Sequence, residues 1–360
     1  MTESGPQSLE SYLQRRFDPV LEGEVPPVPD EAHVGWWREH HQARGGSASS
    51  LVEALAQFQI PIAEHASTSE AYARAIRGGQ AIMDPQAAEA IFAAPGAVEW
   101  RVVDHAAGGL PVAQFGDRRD FERAFRALGN RCEPVPVGPN VHALYVGGLP
   151  NPVRLRAAQS DFLAEGRGTD AWPEEMRRRR AADATAFHDR LILLHPAPYA
   201  GLSASRVGLG EDEWLEASMG LRLEHEFTHH ATHRLLGGYR LHVHDEVLAD
   251  LMGFTAALGR FEASLFLEGL GIGKDGARAD ARVLTYTADL DPNRLPELID
   301  LLRSVANSVE SLSVAFVGAD SAERVRRVLR LASYDLPTLA AGGVRASDLD
   351  ASPTAERHVT

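Results

Sequence analysis

The stretch "LEHEFTHHATHRLLGG", residues 223–238, concentrates four histidines, His225, His229, His230 and His233, around one glutamate, Glu226. His225-Glu226-Phe227-Thr228-His229 fits the pattern H-E-x-x-H. On a helix the two outer histidines stand one turn apart, offset by about 40°, so their imidazoles can share one zinc ion. Glu226 follows the first of them and can reach a water on that ion, as a general base and later a proton carrier. His233 lies roughly 12 Å further along an unbroken helix than His225, and His230 is turned by about 140°. Neither can join the other two on one ion. A third histidine ligand six residues after His229 would fall at position 235, which is Leu235.

A third ligand is available further along the chain. "DEVLAD" supplies Glu246 and Asp250, again one helical turn apart. Glu246 could complete a His-His-Glu set and leave the fourth zinc position open, as catalytic zinc requires. Asp250 could accept a hydrogen bond from the other nitrogen of a ligand histidine and fix its tautomer. His244, Tyr239 and Tyr286 are candidate donors to a developing oxyanion.

"HEFTHHAT" followed by "DEVLADLMG" resembles the gluzincin pattern of thermolysin-like metallopeptidases, and the same block resembles an uncharacterised bacterial family. The likeness spans roughly Glu224 to Gly253. It implies a zincin-like fold, His225, His229 and Glu246 as zinc ligands, Glu226 as general base and Asp250 as the orienting carboxylate. The link between His229 and Glu246 is shorter than in thermolysin itself.

Other chemistries use parts of the same set. Glu226 and His229 form E-x-x-H, one half of a ferritin-like di-iron site, but Ala249 stands where the second histidine should be. Two histidines and a carboxylate also suit Fe(II), though Glu226 would then lack a task. The helix face could be plain polar packing, but burying so many polar groups without partners is costly, and a divalent cation relieves that cost. The reading that combines these residues best is a zinc-dependent hydrolase of a peptide or amide bond. Alternatives are a metal-binding protein with a dedicated biosynthetic or regulatory role and no general proteolysis, and a non-haem iron enzyme.

The elements that must hold these residues are legible in the hydrophobic pattern. "GEDEWLEASMGLRLEHEFTHHATHRLLGG" reads as one long helix, acidic at its start and ended by Gly237-Gly238. "DEVLADLMGFTAALGRFEASLFLEGLG" reads as a second, broken near Gly259. "AVEWRVVDH", "GLPVAQFG", "VHALYVGGL" and "RLILLHPAPY" read as strands, the last a candidate edge on which an extended substrate could add. "DRRDFERAFRALGN" and "AWPEEMRRRRAADATAFHDR" are helical, and Trp36-Trp37 are expected between helices. The sum is a zincin-like α+β fold, mostly helical with a small mixed sheet. The expected divisions are a flexible arm over 1–30, a helical region over 31–95, an α+β lobe over 96–236 ending in the histidine helix, a helical C-terminal lobe over 237–336 and a mobile tail over 337–360.

Composition narrows the classes. The net charge of −14 in 360 residues disfavours nucleic acid and anionic membrane as partners. Cys132 is the sole cysteine, so a metal must be held by His, Asp or Glu and no intrachain disulfide can form. Lys274 is the sole lysine; arginine and alanine dominate, as in GC-rich bacterial coding. No signal-peptide or membrane-length apolar run is present, so a cytoplasmic protein is expected.

Overall fold

The computed structural model describes residues 7–14, 17, 25–77, 91–183, 186–237 and 242–350. Helical segments predominate, and a small mixed sheet makes the class α+β. The chain divides into two units, Pro29–Pro196 and the combination of Met1–Val28 with Ala197–Thr360. The histidine helix therefore belongs with the C-terminal half and the N-terminal arm, not with the strands. No helix among the described residues is long and apolar enough to cross a membrane.

In the unit Pro29–Pro196, four strands are formed where alternation or apolar runs predict them: β1 (Val98–Val103), β2 (Leu110–Phe115), β3 (Ala143–Pro150) and β4 (His188–Leu194). Their order is β1-β2-β4-β3. β2 runs parallel to β4, and the other two pairings are antiparallel. The expectation that β4 is an edge is thereby corrected. Val112–Gln114 pair along one side of it and Ala143–Pro150 along the other. Its unbroken apolar run is the mark of a central strand buried on both faces.

Helices cover this sheet. α2 (Ala32–Arg44) packs on β1, β2 and β4, followed by α3 (Ala48–Ala54), which Ser47 caps as its sequence predicts. Trp37 meets Trp100 of β1 edge-on and donates to Asp189 of β4 at 2.8 Å, so it seals a helix onto the sheet rather than filling a gap between helices. α4 (Arg118–Ala124) is the helix expected there. α5 (Pro152–Ala164) was not anticipated, yet its start is marked: Asn151 accepts from the N–H groups of Val153 and Arg154, and Pro152 occupies the first turn. α6 (Trp172–Ala182) stops short of the expected span because strand pairing claims the chain from His188 onward. Part of the helical region expected over 31–95, residues 78–90, lies outside the described residues.

In the other unit, α1 (Leu9–Leu13) belongs to the N-terminal arm. Tyr12 and Phe17 are buried, and Gln7 bridges to Leu290, so the described part of the arm is docked by the apolar face that "YLQRRF" presents. α7 (Glu211–Leu236) carries Glu211, Asp212 and Glu213 in its first turn and ends at Gly237, whose φ of 72° suits glycine. α8 (Val243–Leu258) ends at Gly259 with φ 66°, and α9 (Ala263–Gly269) resumes beyond the break. After α10 (Val283–Tyr286) come α11 (Leu295–Leu312), α12 (Ser321–Leu331) and α13 (Leu336–Ala340). The expected mobile tail is packed as far as Asp350, because Leu336, Leu339, Val344 and Leu349 supply an apolar face that is buried. Residues 351–360 lie outside the described residues.

α7 and α8 form an antiparallel pair whose register decides the site. Glu246 faces His229, Asp250 faces His225, and Gly253 faces Leu221. A Cβ on Gly253 would stand 2.8 Å from the Leu221 carbonyl oxygen, so glycine is what lets the two backbones approach.

Candidate metal centre

Helical spacing places His225 and His229 on one face of α7, and the α7–α8 register sets Glu246 opposite them. The two Nε2 atoms are 3.1 Å apart. His225 Nε2 is 3.5 Å from Glu246 Oε2, and His229 Nε2 is 3.5 Å from Glu246 Oε1. Bonds of about 2.0–2.1 Å to a tetrahedral ion give ligand–ligand edges of about 3.3 Å. The cluster could hold a single cation of that size between the two imidazoles and one carboxylate. All three side chains are nearly enclosed, with Glu246 at 6% side-chain exposure.

Asp250, completely buried, holds the cluster from behind. His225 Nδ1 donates to its Oδ1 at 2.8 Å, which leaves Nε2 to face the cluster. Tyr199 donates its hydroxyl to the same oxygen and lies 3.1 Å from His225 Nδ1. Arg282 Nη2 donates to Asp250 Oδ2 at 2.8 Å and to Glu246 Oε2 at 3.1 Å, while its Nη1 donates to Tyr199 at 3.1 Å. The Tyr286 hydroxyl is within hydrogen-bonding reach of Glu246, and the Arg282 guanidinium lies against the rings of both tyrosines.

These contacts set the protonation states. Burial would raise the Asp250 carboxyl, but the Arg282 charge, helped by His225 and Tyr199, outweighs it and brings it down to about 2. Burial likewise disfavours a charged His225, yet the Asp250 carboxylate prevails and raises its pKa. His229 is pushed well below the ordinary value, by burial and then by the charge of His225. His229 thus offers a lone pair while His225 tends to hold a proton between them, and a metal cation would take that proton's place. Tyr286 is pushed well above the ordinary phenol value, mainly by burial, so it remains a neutral donor beside Glu246.

Glu226 is buried next to this set, and its carboxylate raises both His225 and Arg222. Arg222 stands one turn before Glu226 on α7 and donates to the carbonyls of Ala197 and Pro198 at 2.5 and 2.9 Å. Burial lowers its pKa to about 10, against the pull of Glu226.

Of the sequence candidates, His225, His229, Glu246, Asp250 and Tyr286 are brought together. His244 is two residues before Glu246 and so turned by about 200° around α8. Its ring meets Phe17, 5.3 Å away, on the arm side of the helix, which corrects the expectation that it points into the site. Tyr239 lies outside the described residues. His230 and His233 are not in the cluster. Tyr199, Arg282 and Arg222 were missed. Arg222 carried a signal, an arginine one turn ahead of Glu226 on the same helix; Tyr199 and Arg282 reach the cluster through folding and left none nearby in sequence.

A model of a family of unknown function, DUF7005, matches residues 1–342 of the chain. No curated protein and no solved structure matches it.

Proposed function

The chain belongs to the DUF7005 family, and from that starting point we propose that it is a metal-dependent hydrolase of a peptide or small amide, with zincin-like architecture around α7 and α8. The observation that carries the proposal is the convergence of His225 Nε2, His229 Nε2 and a Glu246 carboxylate at 3.1–3.5 Å. Two imidazoles and one carboxylate are a hydrolytic zinc set; the same donors accept Fe(II), which metal analysis distinguishes. A bound divalent ion supplies an acidified water and a Lewis acid for the carbonyl.

The chain's own residues then divide the work. Glu226 accepts the proton of the attacking water on its carboxylate and returns it to the leaving nitrogen. Arg222, held by two carbonyls, places a cationic side chain one turn from Glu226. Asp250 and Tyr199 fix the His225 tautomer. Tyr286, neutral and beside Glu246, is the donor best placed to steady a developing oxyanion. The test is Glu226→Gln, assayed with a peptide library against metal content. Metal retained with turnover down by a factor on the order of a hundred or more is the expected result. Full activity in that variant would sink the mechanism. Metal bound by the native chain without any cleavage would favour the dedicated or regulatory role.

A further inference from the structure

The N-terminal arm reaches the cluster's supports from the far end of the chain. Tyr12 is 2% exposed and makes four contacts there. Its hydroxyl donates to the carbonyl of Tyr286 at 3.1 Å and accepts from the N–H of Val243, the first residue of α8, at 3.3 Å. Its ring lies against His242 at a tilt of 31°, with centroids 4.1 Å apart. Its carbonyl is 3.1 Å from His242 Nε2. His242 Nδ1 accepts from the N–H of His244, so Nε2 carries the proton and donates to Tyr12. His242 is thereby locked as the cap of α8.

Two N–H groups in the first turn of α8 are thus satisfied by Tyr12 or by a side chain that Tyr12 holds. Glu246 lies in that same turn. The other end of the Tyr12 bridge, Tyr286, closes the short helix α10, preceded by Arg282, and both side chains engage the Glu246 carboxylate. Gln7 fastens the arm a second time, donating to Asp289 at 2.7 Å and accepting from Asp291 at 3.0 Å. Phe17 packs its ring against His244.

We infer that Tyr12 is a positioning residue for the third metal ligand: it ties the start of the helix that carries Glu246 to the segment that carries Glu246's two partners. The integrity of the metal centre then depends on the docked N-terminal arm. This inference rests on the metal-centre reading proposed above.

The experiment titrates the metal-free, full-length chain with Zn²⁺ and, separately, with Co²⁺, whose visible absorption follows its coordination geometry. Tyr12→Phe removes only the hydroxyl and Tyr12→Ala also removes the ring against His242. Leu339→Ala is the comparison, a buried side chain of α13 that packs on α11 and bears none of these contacts. Disturbing groups that orient a ligand costs about 10–100-fold in metal affinity. Tyr12→Phe should fall near the lower end of that range and Tyr12→Ala nearer the upper, both with an altered Co²⁺ spectrum. Leu339→Ala should melt earlier yet bind both ions like the native chain. Native affinity and spectrum in both Tyr12 variants would overturn the inference, and so would an equal loss in Leu339→Ala. A native chain that takes up neither ion would overturn the metal-centre reading itself, and this inference with it.

Discussion

Two aspartates are completely buried in polar networks, one in each unit, and the way each network ends is different. Asp189 accepts from Trp37 Nε1 at 2.8 Å, Asn151 Nδ2 at 2.6 Å and Arg154 Nε at 2.7 Å. Arg154 spends further donors on the carbonyls of Ala186 and His188, and Asn151 spends its oxygen capping α5. The network closes on backbone. Asp250 is held in a similar way by His225, Tyr199 and Arg282. Beyond His225, however, the chain of contacts leads to His229 and Glu246, so that two imidazole nitrogens and a carboxylate converge on one another. A closed network rigidifies a fold; one that ends in converging metal-ligating groups could hold a cation. Aspartate, arginine and full burial occur in both, so those features by themselves do not mark a site.

That contrast can be broken by substitution. The largest effect on stability is expected at Asp189→Ala, which leaves Arg154 as an uncompensated buried charge and should cost about 3–5 kcal/mol. Chemical denaturation should show this loss while the folded fraction keeps native metal affinity. Asp250→Asn should do the reverse and cut metal affinity by about 10–100-fold, equivalent to about 1.4–2.8 kcal/mol. If calorimetric titration finds Asp189→Ala impaired in metal binding and Asp250→Asn intact, the two networks have been assigned the wrong roles.

Acid stability sharpens the same contrast. The folded chain holds the Asp250 carboxyl at about 2, below its ordinary 3.8. A depressed acid contributes stability that is complete above the unfolded value and disappears as the pH falls through the folded one. In the metal-free chain this amounts to about 2 kcal/mol. Melting temperatures followed downward from pH about 5 should therefore fall less steeply in Asp250→Asn than in the native chain, and parallel curves would remove Asp250 as the source. The smallest effect is expected at Gly253→Ala. Alanine favours the helix by about 1 kcal/mol, but overpacking against the Leu221 carbonyl costs about 1–3 kcal/mol. A net loss of about 1 kcal/mol with weakened metal binding is the outcome to look for; a stabilised variant with native affinity would show that the α7–α8 spacing has slack.

Much of this was written locally. The four strands, the histidine helix, the break at Gly259 and the pairs His225/His229 and Glu246/Asp250 follow from periodicity and capping, which act over a few residues. Sequence reading went astray where a distant partner decides. β4 has the composition of a buried strand, but its central place depends on β2 and β3 both pairing with it. The tail after Pro337 reads as polar, yet Leu339, Val344 and Leu349 find an apolar surface that no local pattern announces.

The sequence by itself determined that two histidines share a helix face, that a glutamate sits beside the first, and that two more carboxylates repeat one turn apart nearby. These follow from the 3.6-residue turn, which fixes relative directions within one helix. The sequence also offered Glu246 as the carboxylate for the histidines, but only the tertiary structure brings it to them. Along α8, Gly253 approaches Leu221, Asp250 meets Tyr199 and Arg282, and the first N–H meets Tyr12, more than two hundred residues away in the chain. Only packing brings such residues together, because a helix carries no information about the rotation of its neighbour.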